Sequence, residues 1–305
     1  MLREDSLAKE VYMGDNSNMR TAVRRGLAGL GAGALLLGGV QIVTQSAASA
    51  LPGLVRQTAT GAPGSRTEMS QTVNCPKGKK VLGGAGRIDG APNGEVGLTF
   101  ASPVNGGAGF TVSAAEDANG TTANWTITAI AFCSAPPDGL QYAQHTFAAG
   151  STKSRWSSVT CPKGKKILGA GGRVSGANGR AILTGVTPSE DGRTITATAY
   201  EDEAGTTDNW SVTALATCVK PTPGLEVVQA GSIQSSDVSI ASATLTCPEG
   251  SRLHGVAGEV TGGNGEVRLR QLDATPDSTA VARAAEDADG TDRMWSVHTY
   301  GICAK

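Results

Sequence analysis

Trp125-Thr126-Ile127-Thr128-Ala129-Ile130 alternates large apolar with small polar side chains, and Trp210-Ser211-Val212-Thr213-Ala214-Leu215 does the same. A period of two marks a strand with one buried face. Thr194 to Tyr200 alternates too. Between such runs lie turn signals. Cys-Pro-x-Gly sets Pro second and Gly fourth, as a type I turn wants. Asn93-Gly94, Asn178-Gly179 and Asn264-Gly265 are hairpin signals, and so are Asn119-Gly120 and Asp289-Gly290, with Ala204-Gly205 in the corresponding place. No comparable stretch shows a helical period. The pattern predicts an all-β chain of short antiparallel strands.

The pattern also repeats. Cys75, Cys161 and Cys247 are 86 residues apart, and Trp125, Trp210 and Trp295 are 85 apart. The second cysteines, Cys133, Cys218 and Cys303, again keep a spacing of 85. Three positions, two Cys and one Trp, recurring every 85–86 residues define three tandem copies. Each copy runs from Cys-Pro-x-Gly through a glycine ladder (Gly83 and Gly86; Gly169 and Gly172; Gly255 and Gly258) to an acidic pair and then the Trp. The acidic pairs are Glu116-Asp117, Glu201-Asp202 and Glu286-Asp287. Upstream, Pro52-Gly53-Leu54, Asp138-Gly139-Leu140 and Pro223-Gly224-Leu225 open the copies. The copies are therefore placed at 51–136, 137–220 and 221–305, each with about six short strands. Glycine inside a strand signals a bend or a close backbone approach, and tight packing between sheets accounts for the ladder.

The residues before the first copy read as an export signal with an N-terminal extension, 1–50. Met19-Arg20 to Arg24-Arg25 is basic, Gly26 to Val43 is apolar, and Ala48-Ser49-Ala50 suits a cleavage site. Met13 or Met19 would serve as the start. After cleavage no stable membrane span is expected, and the mature chain is expected to be secreted. Six cysteines in an exported chain argue for disulfides. The simplest pairing keeps each bond within a copy: Cys75–Cys133, Cys161–Cys218 and Cys247–Cys303. Links between neighbouring copies are the other arrangement. With no CxxC pair and no Cys/His cluster, neither a zinc site nor a cofactor is expected.

The short connectors, Ala135-Pro136-Pro137-Asp138 and Pro221-Thr222-Pro223-Gly224, lack the long runs of a flexible linker. Three copies form either separate beads or one closed pseudo-threefold body. The opening Cys-Pro-x-Gly-x-x-x-x-Gly resembles the repeats of the vitelline membrane outer layer protein family, which implies a β-prism of three sheets. That match covers about 20 residues per copy. The whole unit, with Cys-Pro-x-Gly-Lys-x-x-x-Gly-Gly and Trp-x-x-x-Ala-x-Cys, is similar to secreted actinobacterial repeat proteins of unknown function. This likeness covers most of 66–303 and implies location rather than chemistry.

A formal charge of −1 gives no field to attract nucleic acid. The basic turns Lys77-Gly78-Lys79-Lys80 and Lys163-Gly164-Lys165-Lys166 read as solvated. His145, His254 and His298 recur in no other copy, and His254 and His298 suit solvent-facing strand positions. Without a catalytic constellation, no enzyme is expected. Adjacent acids on a strand point to opposite faces, so the Glu-Asp pairs are not facing glycosidase carboxylates. Asp287-x-Asp289-Gly290-x-Asp292 has the look of a calcium loop, but Asp or Asn capping a turn explains it as well, and no metal is assigned. The candidate ligand-binding residues are Trp125, Trp210 and Trp295 with Glu116, Asp117, Glu201, Asp202, Glu286 and Asp287. The tryptophans have two readings: core, or exposed rings that stack on sugars.

The functional expectation is a non-catalytic binding or cell-envelope protein that recognises a glycan or wall polymer through repeated sites. A protease-resistant coat protein without a specific ligand is the first alternative. The second is an enzyme or enzyme inhibitor with its site on one divergent loop, at 101–110 or 271–280.

Overall fold

The computed structural model describes residues 51, 53–91, 94–275 and 278–305, all inside one compact unit, Ser46–Lys305. The proposed export signal and Asn93 lie outside the described residues.

Each copy supplies six strands. The first holds β1 (Val55–Thr60), β2 (Glu68–Asn74), β3 (Lys80–Asp89), β4 (Val96–Val104), β5 (Gly109–Glu116) and β6 (Thr126–Ser134). The second holds β7 (Gln141–Thr146), β8 (Ser154–Thr160), β9 (Lys166–Ser175), β10 (Ala181–Pro188), β11 (Thr194–Glu201) and β12 (Ser211–Val219). The third holds β13 (Glu226–Gly231), β14 (Ile240–Thr246), β15 (Arg252–Gly262), β16 (Val267–Thr275), β17 (Thr279–Glu286) and β18 (Trp295–Ala304). Among the described residues the only helical turn is the 3-10 turn Asn105–Gly107.

The strands form three six-stranded antiparallel sheets, ordered β1-β6-β3-β16-β17-β14, β13-β18-β15-β10-β11-β8 and β7-β12-β9-β4-β5-β2. Every sheet takes its first, sixth and third strands from one copy and its fourth, fifth and second from another. The chain thereby closes a cycle in which each copy shares sheets with both of the others. Of the two arrangements open from the sequence, this is the closed body and not the beads. The sharing rests on short seams, Gly86 opposite Leu272, Gly172 opposite Ala101 and Gly258 opposite Val186. The ladder glycines sit at these seams. Gly86 faces the side chain of Val112, and Gly258 faces Leu272.

The other ladder glycines explain the centre. A Cβ on Gly83 would lie 2.5 Å from the His254 carbonyl oxygen, and one on Gly255 would lie 3.2 Å from Gly169 Cα. Gly83, Gly169 and Gly255 thus meet backbone to backbone on the pseudo-threefold axis, where a side chain has no room. Next to them Leu82 and Leu168 are buried, with Leu51, Leu54, Leu140 and Leu225 packed around them. His254, the third copy's counterpart of these two leucines, is also fully buried. The solvent-facing position expected for His254 is therefore wrong. Burial pushes its imidazole down to about 4, and Nδ1 lies 2.8 Å from the Arg252 carbonyl. His298 is half-buried, with Nε2 3.2 Å from the Ser296 hydroxyl.

Three disulfides join Cys75 to Cys133, Cys161 to Cys218 and Cys247 to Cys303. Since β2 and β6 belong to different sheets, each bond staples two sheets within one copy.

Two turn assignments need correction. The backbone N–H of Lys79 donates to Pro76, and Gly78 has φ +80°. The turn thus begins at Pro, with Gly third, which is the positive-φ place of a type II turn rather than type I. Asn178 and Gly179 have φ +48° and +84°, and Arg180 donates to Ala177, as in a type I′ turn. Yet this turn joins β9 to β10, which lie in different sheets, so it is a crossover and not a hairpin. The same holds for the turns after β5, β11 and β17. The hairpins are the β4–β5, β10–β11 and β16–β17 pairs.

Candidate functional site

Along the β4–β9 seam, Ala101 lies opposite Gly172, so Gly169 falls near the Val104 end of β4 and Gly97 near the other. The axis therefore has a leucine-lined end and a second end around Gly97. There Gly97, Ile182 and Arg268 are counterparts, each three residues past its Asn-Gly. An added Cβ on Gly97 would lie 3.0 Å from Ile182 and 3.4 Å from Arg268. The small glycine and the middle-sized isoleucine leave space on the axis for one long side chain, and Arg268 takes it, fully buried.

All three copies converge on this guanidinium. Arg268 Nη2 lies 3.6 Å from Asp117, 3.7 Å from Asp287 and 4.0 Å from Glu203. These are ion contacts beyond hydrogen-bond length, and none of its three nitrogens has a hydrogen-bond partner. Glu95 and Glu266 stand at the same end and are held above the usual carboxylate range, first by burial and then by neighbouring acids. Asp287 is pushed up to about 8 by burial and by Asp289, against the pull of Arg268. In the second copy Arg180 stands where the others have Glu95 and Glu266, and it pairs with Asp202 at 3.4 Å. The second copy therefore adds one acid beyond its own pair, Glu203, and the rest of the surplus belongs to the first and third copies.

The candidate residues divide by role. Trp125, Trp210 and Trp295 are fully buried, so no ring face is open to a sugar and the stacking reading is set aside. Their indole N–H groups donate to Glu116, Glu201 and Glu286 at 2.8, 2.7 and 2.7 Å. The three glutamates are buried acceptors that hold a core ring, which explains why Glu and Trp recur together nine residues apart. Asp117 and Asp202 cap their turns, accepting from Gly120 and Gly205 at 2.9 Å each. Asp287 departs from this pattern, because neither of its oxygens receives a hydrogen bond. The lysines of the basic turns bridge loops: Lys80 donates to Gly106 at 2.7 Å and Lys165 to Gln141 at 2.8 Å.

One exposed aromatic feature occurs in a single copy, so the repeat pattern does not display it. Trp156 on β8 is 59% exposed, and its ring stacks on Phe147 with centroids 6.2 Å apart and planes 17° from parallel. Beneath them the half-sandwiched Arg155 guanidinium lies 5.2 Å from the Phe147 ring and 5.7 Å from that of Trp210. Arg155 also bonds the Ala148 carbonyl and, at 3.1 Å, the Thr152 hydroxyl. The buried cation thus fixes the outer ring to the core. The counterparts of Trp156 are Ser70 and Ser242 and those of Arg155 are Met69 and Ala241, so comparing copies could have revealed the platform. From Trp156 the solvent face runs along Ser158, Thr160, Thr194, Thr196 and Thr198, with Ser158–Thr196 and Thr160–Thr194 hydroxyls 2.8 and 2.9 Å apart.

His145 Nδ1 lies 3.1 Å from the Ser157 hydroxyl, but that hydroxyl donates to the His145 carbonyl at 2.8 Å. The imidazole is then the donor toward Ser157 and not its base. The loop 101–110 is the β4–β5 hairpin and packs on Tyr142, whose hydroxyl donates to Val81 at 2.7 Å. The loop 271–280 is the β16–β17 hairpin, described except for 276–277. Among the described residues no helix is long and apolar enough to cross a membrane.

No protein-family model matches the chain, and the search of curated proteins also returned no match.

Proposed function

We propose that the mature chain is a secreted, non-catalytic protein of the cell exterior that binds a glycan or wall polymer on the second copy. The carrying observation is the Phe147–Trp156 pair, a rigid aromatic face open to solvent and continued by a row of hydroxyls. A pyranose ring offers C–H groups to an aromatic face and hydroxyls to its surroundings, and an amphipathic indole beside Ser and Thr meets both needs. Three disulfides suit an oxidising compartment, and the export signal proposed for 1–50 would deliver the chain there. The platform occurs once, so this reading replaces repeated sites with a single one, and the threefold body serves as its scaffold.

The test is retention of the mature chain on insoluble cell-wall polysaccharide and on peptidoglycan. Trp156→Ala is expected to lower retention by about tenfold, the loss of roughly 1.4 kcal/mol of stacking, with melting unchanged because the side chain is exposed. Equal retention of wild type and variant would overturn the reading. The coat-protein alternative draws on the closed strand exchange and its three staples. It predicts no retention on any glycan, together with survival in protease.

A further inference from the structure

We infer that Glu203, Glu266 and Asp287 form a site for one hard divalent cation, calcium before magnesium, at the acidic end of the pseudo-threefold axis. One carboxylate oxygen from each lies within 4.8 Å of the other two. Oxygens so spaced are gathered by a cation that bonds them at about 2.3–2.6 Å with small side-chain movement, whereas magnesium needs about 2.0–2.1 Å and tighter convergence. The set spans two copies, since Glu203 belongs to the second and Glu266 and Asp287 to the third.

Asp287 distinguishes this cluster from ordinary surface acids. Its side chain is 2% exposed, and both oxygens lack a hydrogen-bond partner. In the other copies the equivalent aspartate spends an oxygen on capping a glycine N–H; in the third copy the turn forms without that bond. The side chain within reach is Asp289, an acid and not a donor, and a buried carboxylate beside another acid is costly unless a proton or a cation lies between them. Arg268 does not meet the Asp287 oxygens, because it stays at 3.7 Å and makes no hydrogen bond itself. It offsets one charge, while Asp117, Glu203 and Asp287 lie within 4.0 Å of it and Glu95 and Glu266 feel its charge as well. Carboxylate oxygens are the donors that calcium prefers, and Glu203, which is exposed, marks the route of entry.

The experiment is titration calorimetry on the mature chain stripped with EDTA, with calcium chloride and then magnesium chloride as titrants. Expected are one calcium site per chain, weaker magnesium binding, and a calcium-dependent rise in melting temperature. Glu203→Gln and Glu266→Gln remove ligands that are not buried, so both variants keep the fold, which melting without calcium verifies. Each is expected to weaken calcium at least about tenfold, while Glu190→Gln on the β10–β11 hairpin leaves it unchanged. No calcium heat at millimolar concentration overturns the proposal. So does calcium binding that survives both ligand substitutions.

Discussion

At the scale of single residues, the repeated Trp and Glu form one unit. Each indole N–H ends on a glutamate; the ring is fully buried and the carboxylate nearly so. Glu201→Ala should cost about 1–3 kcal/mol, because it strands a buried donor, and this should appear as a lower denaturant midpoint. Glu201→Gln keeps an acceptor and should cost less. His254 makes a different prediction. Its folded-state pKa of about 4 lies below the ordinary 6.5, so the unfolded chain binds the proton more readily. Stability is then unaffected above pH 6.5 and falls as pH drops from 6.5 toward 4, by about 3 kcal/mol once both states are protonated. His254→Leu copies the side chains of Leu82 and Leu168, and it should flatten this acid limb in melting curves taken between pH 4 and 8. An unchanged limb would show that the imidazole is solvated in the folded protein.

At the scale of elements, the strands were legible because alternation and cysteine spacing report local geometry. Thr194–Glu201 and Thr126–Ser134 fall where period two placed strands. Pairing partners were less legible. Asn178-Gly179 makes the turn its residues demand, but nothing in those residues states that the next strand leaves for another sheet. Both hairpin assignments failed for that reason, while the true hairpins, at the copies' divergent loops, carry no shared signal. The glycine ladder was legible as a close approach but not as a meeting of three chains on an axis. Gly83→Ala tests that meeting. Its methyl would press on the His254 carbonyl, and the strain should cost about 1–3 kcal/mol or more. The same substitution at Gly64, whose nearest neighbour is the Met69 sulfur at 3.8 Å, should cost little.

At the scale of the whole molecule, the copies are alike in fold and unlike on the axis, and that difference sets what one copy can do alone. A lone copy leaves its third and fourth strands without the partners that β3, β9, β15 and β4, β10, β16 find in each other. As a monomer it would expose two such edges and half-built sheets, so it should not fold. Three identical copies could close the same cycle, provided their axis residues tolerate threefold repetition. The second copy comes nearest: three Leu168 would fill one end, and three Ile182 with three Arg180–Asp202 pairs would fill the other, leaving three partly exposed Glu203 carboxylates as the charges without a partner. The third copy would crowd three Arg268 and three His254 onto one line, with Glu266 and Asp287 in each. Light scattering on 137–220 should therefore find a folded trimer whose circular dichroism is lost on dilution. The segment 221–305 should stay unfolded at the same concentration. A folded monomer from either segment would mean that strand exchange between copies is dispensable. Duplication followed by divergence on the axis would explain why Arg268, needed once, stands beside a glycine and an isoleucine.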